Sequence, residues 1–104
     1  MSEPRTREST LTQSKAAPAV ERPRLWRVLL HNDDYTTQDF VVWILETVFR
    51  RPRGEAVAIM LRVHQSGLGL AGVYTHEVAE TKVDQVHELA KKYEFPLKCS
   101  MEEA

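Results

Sequence analysis

Six short segments follow one another within residues 25–104, three of them typical of strands and three typical of helices. The order of these segments constrains the fold more than any other feature of the sequence. Two of them are apolar and either bounded by turn-forming residues or interspersed with glycine, and a third, short segment follows Pro96; we predict that all three are strands. They cover residues 25–30, residues 68–75 with Val78 as the furthest extension, and residues 97–101.

The other three segments repeat apolar side chains at helical spacing, which predicts helices. Thr36 with Asp39 three residues later resembles a capping box at the start of the first helix, and Arg50–Gly54 interrupts the pattern. Gly67 is placed to end the second helix. The predicted helices run from about residue 36 to 49, from 55 to 64 and from 79 to 94.

The order β-α-α-β-α-β predicts a small α+β sandwich, a three-stranded antiparallel sheet with three helices packed on one face. Residues 1–24 are rich in Ser, Thr, Pro, Ala and charge, with Leu11 and Val20 as the only large aliphatic residues. Such a segment buries too little apolar surface to offset the entropy of ordering. We therefore expect a flexible, disordered N-terminal extension, residues 1–24, before a core domain, residues 25–104.

Charge and composition exclude several classes of function. Residues 25–104 contain nine basic and twelve acidic residues, whereas a nucleic-acid ligand requires a basic surface. The longest apolar run, Phe40–Leu45, is far shorter than the ~20 residues that span a bilayer, and no apolar signal segment is present at the N-terminus. The single cysteine, Cys99, excludes an internal disulfide and a cysteine zinc cluster. We expect an intracellular protein with neither nucleic acid nor membrane as partner.

The densest polar cluster is His31-Asn32-Asp33-Asp34, between a predicted strand and a predicted helix. It is compatible with a simple turn or with a binding loop. His64 ends the second helix, where it is compatible with a partner of the helix dipole or with a binding residue. His31, Asp33, Asp34 and His64 are residue types that Zn²⁺ accepts, which leaves a small metal-dependent hydrolase as an alternative, although their spacing matches no strong metal motif.

Other enzyme signatures are missing from the sequence: there is no Gly-rich phosphate loop and no Gly-x-Ser-x-Gly nucleophile elbow. We therefore expect no catalytic residues and no cofactor. The charged stretch Glu77–Lys82 is compatible with a solvated helix start or with a polar docking surface.

The ordered motifs together resemble the ClpS family, whose members are adaptors of the bacterial ClpAP protease. The resemblance covers about three quarters of the chain, residues 25–104. The residues that carry it are Asn32-Asp33-Asp34-Tyr35-Thr36 followed by Phe40-Val41, then Met60-Leu61-x-Val63-His64, Gly72-Val73-Tyr74-Thr75-x-Glu77-Val78-Ala79-Glu80-Thr81-Lys82, Pro96-Leu97-x-Cys99 and Met101-Glu102.

The resemblance implies a binding module that recognises N-degrons, which are free polypeptide N-termini beginning with Leu, Phe, Tyr or Trp, and delivers them to the ClpA unfoldase. It implies that Asn32, Asp33 and His64 hold the α-amino group. The residues implied at the pocket for the first side chain are Asp34, Thr36, Gln38, Val41, Met60 and Leu97. Glu77, Glu80 and Lys82 would face the N-terminal domain of ClpA. Residues 1–24 would correspond to the family's flexible extension, which takes part in substrate handover.

One position departs from the family pattern. Gln38 stands where family members often have Met, at the mouth of the pocket, so first-residue selectivity is expected to differ. An alternative is therefore a relative that docks on the unfoldase with altered or lost N-degron selectivity. A ribosome-associated module is suggested only by the family's similarity of fold to a ribosomal stalk domain, and fold is a poor guide to function. We expect a monomer in the bacterial cytoplasm.

Overall fold

A computed structural model describes residues 22–104, which fold as three strands and three helices in the predicted order. The predicted extension lies outside the described residues except for residues 22–24, which have no regular secondary structure. The elements are β1 (Leu25–His31), α1 (Gln38–Thr47), α2 (Arg53–Ser66), β2 (Leu68–Thr75), α3 (His76–Lys92) and β3 (Lys98–Glu103).

The sheet has the strand order β2-β1-β3, and both pairings are antiparallel. The register of β1 against β2 shifts between Val28 and Leu29, which pair with Gly72 and Leu70. Ala71 is therefore the extra residue of a β-bulge. Its carbonyl accepts a hydrogen bond of 2.9 Å from Nε of Arg51, so the backbone group released by the bulge is satisfied.

The hydrophobic core lies between one face of the sheet and the helices, as the α+β prediction requires. Its largest fully buried side chains come from β1, α1 and α3: Val28, Leu30, Ile44, Leu45 and Val86. Burying each such leucine or isoleucine stabilises the fold by about 1.5–3 kcal/mol. Helix α1 is buried on more than one side, since Phe40, Val41, Val42, Ile44 and Leu45 are all buried.

Two helix starts differ from the prediction. Helix α1 is capped by Thr37, whose Oγ accepts from the backbone N–H of Phe40 at 3.1 Å, and not by Thr36. The hydroxyl of Thr36 is engaged elsewhere, because it donates to Asp33. Helix α3 begins at His76, directly after the extended residue Thr75, so β2 does not continue to Val78.

The elements also extend beyond several predicted limits. Helix α2 starts two residues earlier than expected, because Pro52 takes the N-cap position and Gly54 is helical. Strand β3 continues to Glu103, held by an ion pair of 3.1 Å between Arg27 and Glu102 and by a bond from the N–H of Ala104 to the carbonyl of Leu25. Among residues 22–104, none of the three helices has the length and the continuous hydrophobicity of a membrane span.

His87 of helix α3 forms a hydrogen bond with β3: its Nε2 accepts from the backbone N–H of Cys99 at 3.0 Å. Burial raises the pKa of the Cys99 thiol to about 12. The single cysteine of the chain is therefore protonated near neutral pH and is a packing residue, since only the thiolate is nucleophilic.

Candidate functional site

The loop between β1 and α1 is shaped by one side chain, the carboxylate of Asp33. Its Oδ1 accepts hydrogen bonds from the backbone N–H groups of Tyr35 and Thr36 at 2.8 and 2.7 Å. Its Oδ2 accepts from the Thr36 hydroxyl at 2.7 Å. This is the local capping chemistry that Asp offers at turns, and it fixes the direction of the carboxylate before any ligand arrives.

These hydrogen bonds also decide the charge of Asp33. Partial burial by itself raises the pKa of its carboxyl, but the bonds from Thr36 and Tyr35 together outweigh burial and lower the pKa below its usual value. Asp33 is therefore ionised at neutral pH. A carboxylate offers about four lone-pair positions, and the loop uses three, so Asp33 can still accept from a cationic donor.

A second interaction brings α2 to this loop. Gly67 ends α2 in the left-handed conformation, with φ of 84°, and its own N–H bonds to the carbonyl of Val63. Its carbonyl accepts from the backbone N–H of Asn32 at 3.0 Å. The last turn of α2, which carries His64, is thereby tied to the residue that precedes Asp33.

A cavity of about 230 Å³ lies where this loop, the start of α1 and the end of α2 meet. Its polar lining comes mainly from the β1–α1 loop and includes two carboxylates, while Val41, Met60 and Val63 supply an apolar, buried side. The lining residues are Asn32, Asp33, Asp34, Thr36, Gln38, Val41, Met60, Val63 and His64.

Eight of the residues named from the sequence line this one cavity, although they are up to 32 positions apart in the chain. Leu97 is not among the lining residues in the described part of the chain and is buried in the core instead. It precedes β3, which lies on the other side of β1 from β2, the strand that follows α2. Val63 also lines the cavity and was not predicted as a site residue; its position three residues after Met60, on the same side of α2, was the available signal.

The four possible zinc ligands do not form one group. His31 is not among the residues lining the cavity, and its Nε2 lies 2.6 Å from Oγ of Ser100 in the neighbouring strand. Within residues 22–104, no three histidine, cysteine, aspartate or glutamate side chains are grouped closely enough to hold a metal ion.

The residues expected to face an unfoldase form a separate surface on the first turns of α3. Glu77, Glu80 and Lys82 line a shallow depression of about 500 Å³ there. The two glutamates are exposed, whereas Lys82 is held in place because its Nζ donates to the carbonyl of Val48 at 2.7 Å. The depression also contains exposed Val78, so it combines negative charge with an apolar contact.

The lowered pKa of Asp33 predicts how stability depends on pH. Because the folded carboxyl has a lower pKa than the unfolded one, the unfolded state binds more protons in acid, and the stabilisation is lost as pH falls through the folded pKa. The free energy of unfolding should therefore exceed that of an Asp33→Asn variant above pH 5, and the difference should shrink towards pH 3. Urea titrations of both proteins across this range measure it, and a constant difference would contradict the assigned hydrogen bonds.

Comparison with known proteins identifies the family to which the chain belongs. The family model described as ATP-dependent Clp protease adaptor protein ClpS matches residues 21–100. The ATP-dependent Clp protease adapter protein ClpS of Desulfatibacillum aliphaticivorans is 62% identical over 83 residues, covering 80% of each chain. Its counterpart in Phenylobacterium zucineum is 52% identical over 96 residues, covering 92% of this chain and 86% of the relative.

A solved structure is similar as well. Agrobacterium tumefaciens ClpS2 bound to L-phenylalaninamide matches with a TM-score of 0.77 at 36% identity, over 80% of this chain and all of that one. The fold, the ordered motifs and these relatives agree. The chain belongs to the ClpS family of ATP-dependent Clp protease adaptor proteins, which are adaptors and not enzymes.

Proposed function

We propose that this adaptor binds the free N-terminus of polypeptides beginning with Leu, Phe, Tyr or Trp and delivers them to the ClpA unfoldase of the ClpAP protease. It would do so as a monomer in the bacterial cytoplasm. The observation that carries the proposal is the single cavity that joins hydrogen-bond acceptors at its polar side to an apolar, buried side. An N-terminal residue carries the two complementary groups, an ammonium group that donates hydrogen bonds and an apolar side chain, on one carbon atom.

The polar side suits an α-amino group. Such a group has a pKa near 7.7–8.0, so it is mostly cationic at pH 7 and offers three N–H donors. The side-chain carbonyl of Asn32, the carboxylate of Asp33 and a ring nitrogen of His64 supply three acceptors. An acetylated or internal residue lacks the charge and the spare donors, and it would leave these acceptors unpaired, which costs more than one hydrogen bond's net value.

The apolar side suits one large side chain. A cavity of 150 Å³ is known to hold benzene, so a volume of about 230 Å³ accommodates an isobutyl or benzyl group. Val41 and Met60 are 7% and 8% exposed and would contact that group directly. Burying a Leu or Phe side chain contributes about 1.5–3 kcal/mol, whereas an N-terminal Gly or Ala would gain much less.

The solved structure of the relative supports the same assignment. The molecule bound to ClpS2, L-phenylalaninamide, has a free α-amino group, a benzyl side chain and a neutral amide in place of the next residue. It is chemically the beginning of a polypeptide whose first residue is Phe. By likeness, we assign the cavity of this chain to the same kind of ligand.

A fluorescence-anisotropy titration with three labelled peptides tests the proposal. One peptide begins with a free Phe, the second is the same peptide acetylated at its N-terminus, and the third has Ala in place of the first Phe. We expect micromolar or tighter binding of the free Phe peptide alone. Equal binding of the acetylated peptide would contradict amine recognition, and binding of none would favour an unfoldase-docking regulator that has lost N-degron selectivity.

Gln38 is expected to alter first-residue selectivity. It is exposed, lines the cavity and places a polar amide where a Met side chain would be apolar. We expect wild type to bind large aromatic first residues more weakly, or to exclude Ile and Val less well, than a Gln38→Met variant does. Affinities for peptides beginning with Leu, Phe, Trp and Ile measure this, and comparable values in the two proteins across all four would reject it.

Delivery requires the surface on α3, and its exposed glutamates give a separate prediction. We expect Glu80→Lys to weaken binding to the isolated N-terminal domain of ClpA by about tenfold. The exposed glutamates of this surface would face cationic groups of the partner, and a lysine at position 80 would place two positive charges opposite each other, which is penalised at an interface. Glu88→Lys makes the same charge change on the same helix outside the depression and should have little effect. Biolayer interferometry of both variants measures this; equal losses would show that only net charge matters.

A further inference from the structure

A second concave surface lies between α1 and the end of α3, and three aromatic side chains line it: Phe40, Trp43 and Tyr93. We call it the aromatic cleft; its volume is about 290 Å³. The three rings contact one another, with centroids 5.5–5.9 Å apart, and the Trp43 and Tyr93 rings meet edge to face. Phe40 is buried, whereas Trp43 and Tyr93 are 37% and 48% exposed.

Exposed aromatic faces of this kind attract cations, because each ring presents the negative side of its quadrupole. The aromatic cleft itself contains one example, since Nζ of Lys92 lies over the Tyr93 ring at 5.5 Å from the centroid. Tryptophan binds cations best of the aromatic residues, and within residues 22–104 no lysine or arginine is placed over the Trp43 ring.

The charges next to the aromatic cleft favour the same class of ligand. Helix α1 contains Asp39 and Glu46 and neither Lys nor Arg. Asp39 precedes Trp43 by four residues, so the two side chains lie on the same side of the helix. Glu94 follows Tyr93 directly, in a left-handed conformation with φ of 64°. A cationic side chain is therefore best placed at the Trp43 ring, on the side of Asp39, because the ammonium group of Lys92 already lies over the Tyr93 ring.

The aromatic cleft and the N-degron cavity share a helix. Gln38 and Val41 of α1 line the cavity, while Phe40 and Trp43 lie on the opposite side of the same turns. An α-helix with its side chains is about 10–12 Å across, and an extended polypeptide advances about 3.3 Å per residue. A chain whose first residue occupied the cavity would reach the aromatic cleft with about its fourth to sixth residue.

We propose that the aromatic cleft binds an arginine or lysine side chain of the bound substrate, located about four to six residues from its N-terminus. This inference rests on the proposed N-degron function and adds a second determinant of substrate choice to it. The guanidinium or ammonium group would lie against the Trp43 ring, beside the carboxylate of Asp39.

The test uses the full chain and labelled peptides that begin with Phe and carry, at positions four, five or six, either arginine or citrulline. Citrulline has nearly the same shape as arginine and no charge. At one of these positions we expect the arginine peptide to bind about two- to fivefold more tightly, which is the range for an exposed cation–π contact. A Trp43→Leu variant should reduce this ratio to about one while binding the citrulline peptide as wild type does.

Two further variants make the result specific. Tyr93→Leu removes the opposite wall of the aromatic cleft and should also reduce the ratio of affinities for the arginine and citrulline peptides. This second variant keeps the test decisive if Trp43→Leu folds poorly. Trp26→Leu changes the only other tryptophan, which packs on His76 at the start of α3, and should preserve the ratio. A ratio of one in wild type, or a ratio unchanged by both cleft variants, would overturn the inference.

The acetylated peptides separate this inference from the proposed function. If free and acetylated Phe peptides bind equally, N-degron recognition fails and the inference fails with it. If only free peptides bind and arginine gives no advantage, the N-degron function stands and the inference alone is wrong.

Discussion

Replacing Asp33 by Asn is expected to weaken binding of a Phe-initiated peptide by about 10- to 150-fold while the protein remains folded. The side-chain carbonyl of Asn would still accept from the N–H groups of Tyr35 and Thr36, and its amide nitrogen would face the Thr36 hydroxyl, which can accept as well as donate. The loop therefore keeps its shape. What is lost is the negative charge opposite the α-ammonium, and a charge-assisted hydrogen bond contributes about 1.5–3 kcal/mol.

The measurement is the same anisotropy titration, with urea unfolding as the check on folding. Asp84→Asn is the matched control, because it removes an equal charge from the exposed surface of α3, away from the cavity. It should change peptide affinity by less than twofold. If Asp33→Asn also binds within twofold of wild type, Asp33 shapes the loop and does not hold the substrate amine.

The conformation of the loop between β1 and α1 could largely be predicted from its residue types. An Asn-Asp-Asp sequence between an apolar strand and an amphipathic helix favours a turn with acceptor side chains, and the structure has that turn. The capping residue could not be predicted, because Thr36 and Thr37 are adjacent and either hydroxyl can cap a helix. The choice depends on the hydrogen bond between Thr36 and Asp33, which only the folded loop determines.

The site was predicted less completely, for reasons of packing. Met60 and His64 are close to Asn32 because the N–H of Asn32 bonds to Gly67, and no local pattern in the sequence reports that contact. The aromatic cleft was missed for a related reason. The spacing of apolar residues predicts helices, but it cannot show that α1 and α3 leave the Trp43 and Tyr93 rings partly open to solvent.

Replacing Gly69 by Ala is expected to lower the free energy of unfolding by about 1–3 kcal/mol, which is the usual cost of overpacking a core. Gly69 is a buried residue of β2 that faces α2, and an added Cβ would lie 2.5 Å from Cγ2 of Val63. Val63 cannot turn aside easily, because a β-branched side chain in a helix has one strongly preferred rotamer. The next neighbours are backbone atoms, the carbonyl oxygen of Ile59 at 3.3 Å and the Val63 nitrogen at 3.4 Å, so α2 itself must move.

This displacement should reach the ligand, because Met60, Val63 and His64 of the same helix line the cavity. We therefore expect Gly69→Ala to lower the melting temperature by about 4–8 °C for each kcal/mol lost and to weaken binding of the Phe peptide as well. Gly54→Ala is the matched control: it lies in α2 with nothing within 4 Å of the added Cβ, and alanine there should stabilise the protein by about 0.4–1 kcal/mol. Normal stability and binding in Gly69→Ala would show that α2 and the sheet can separate without cost, and that the cavity does not depend on their close contact.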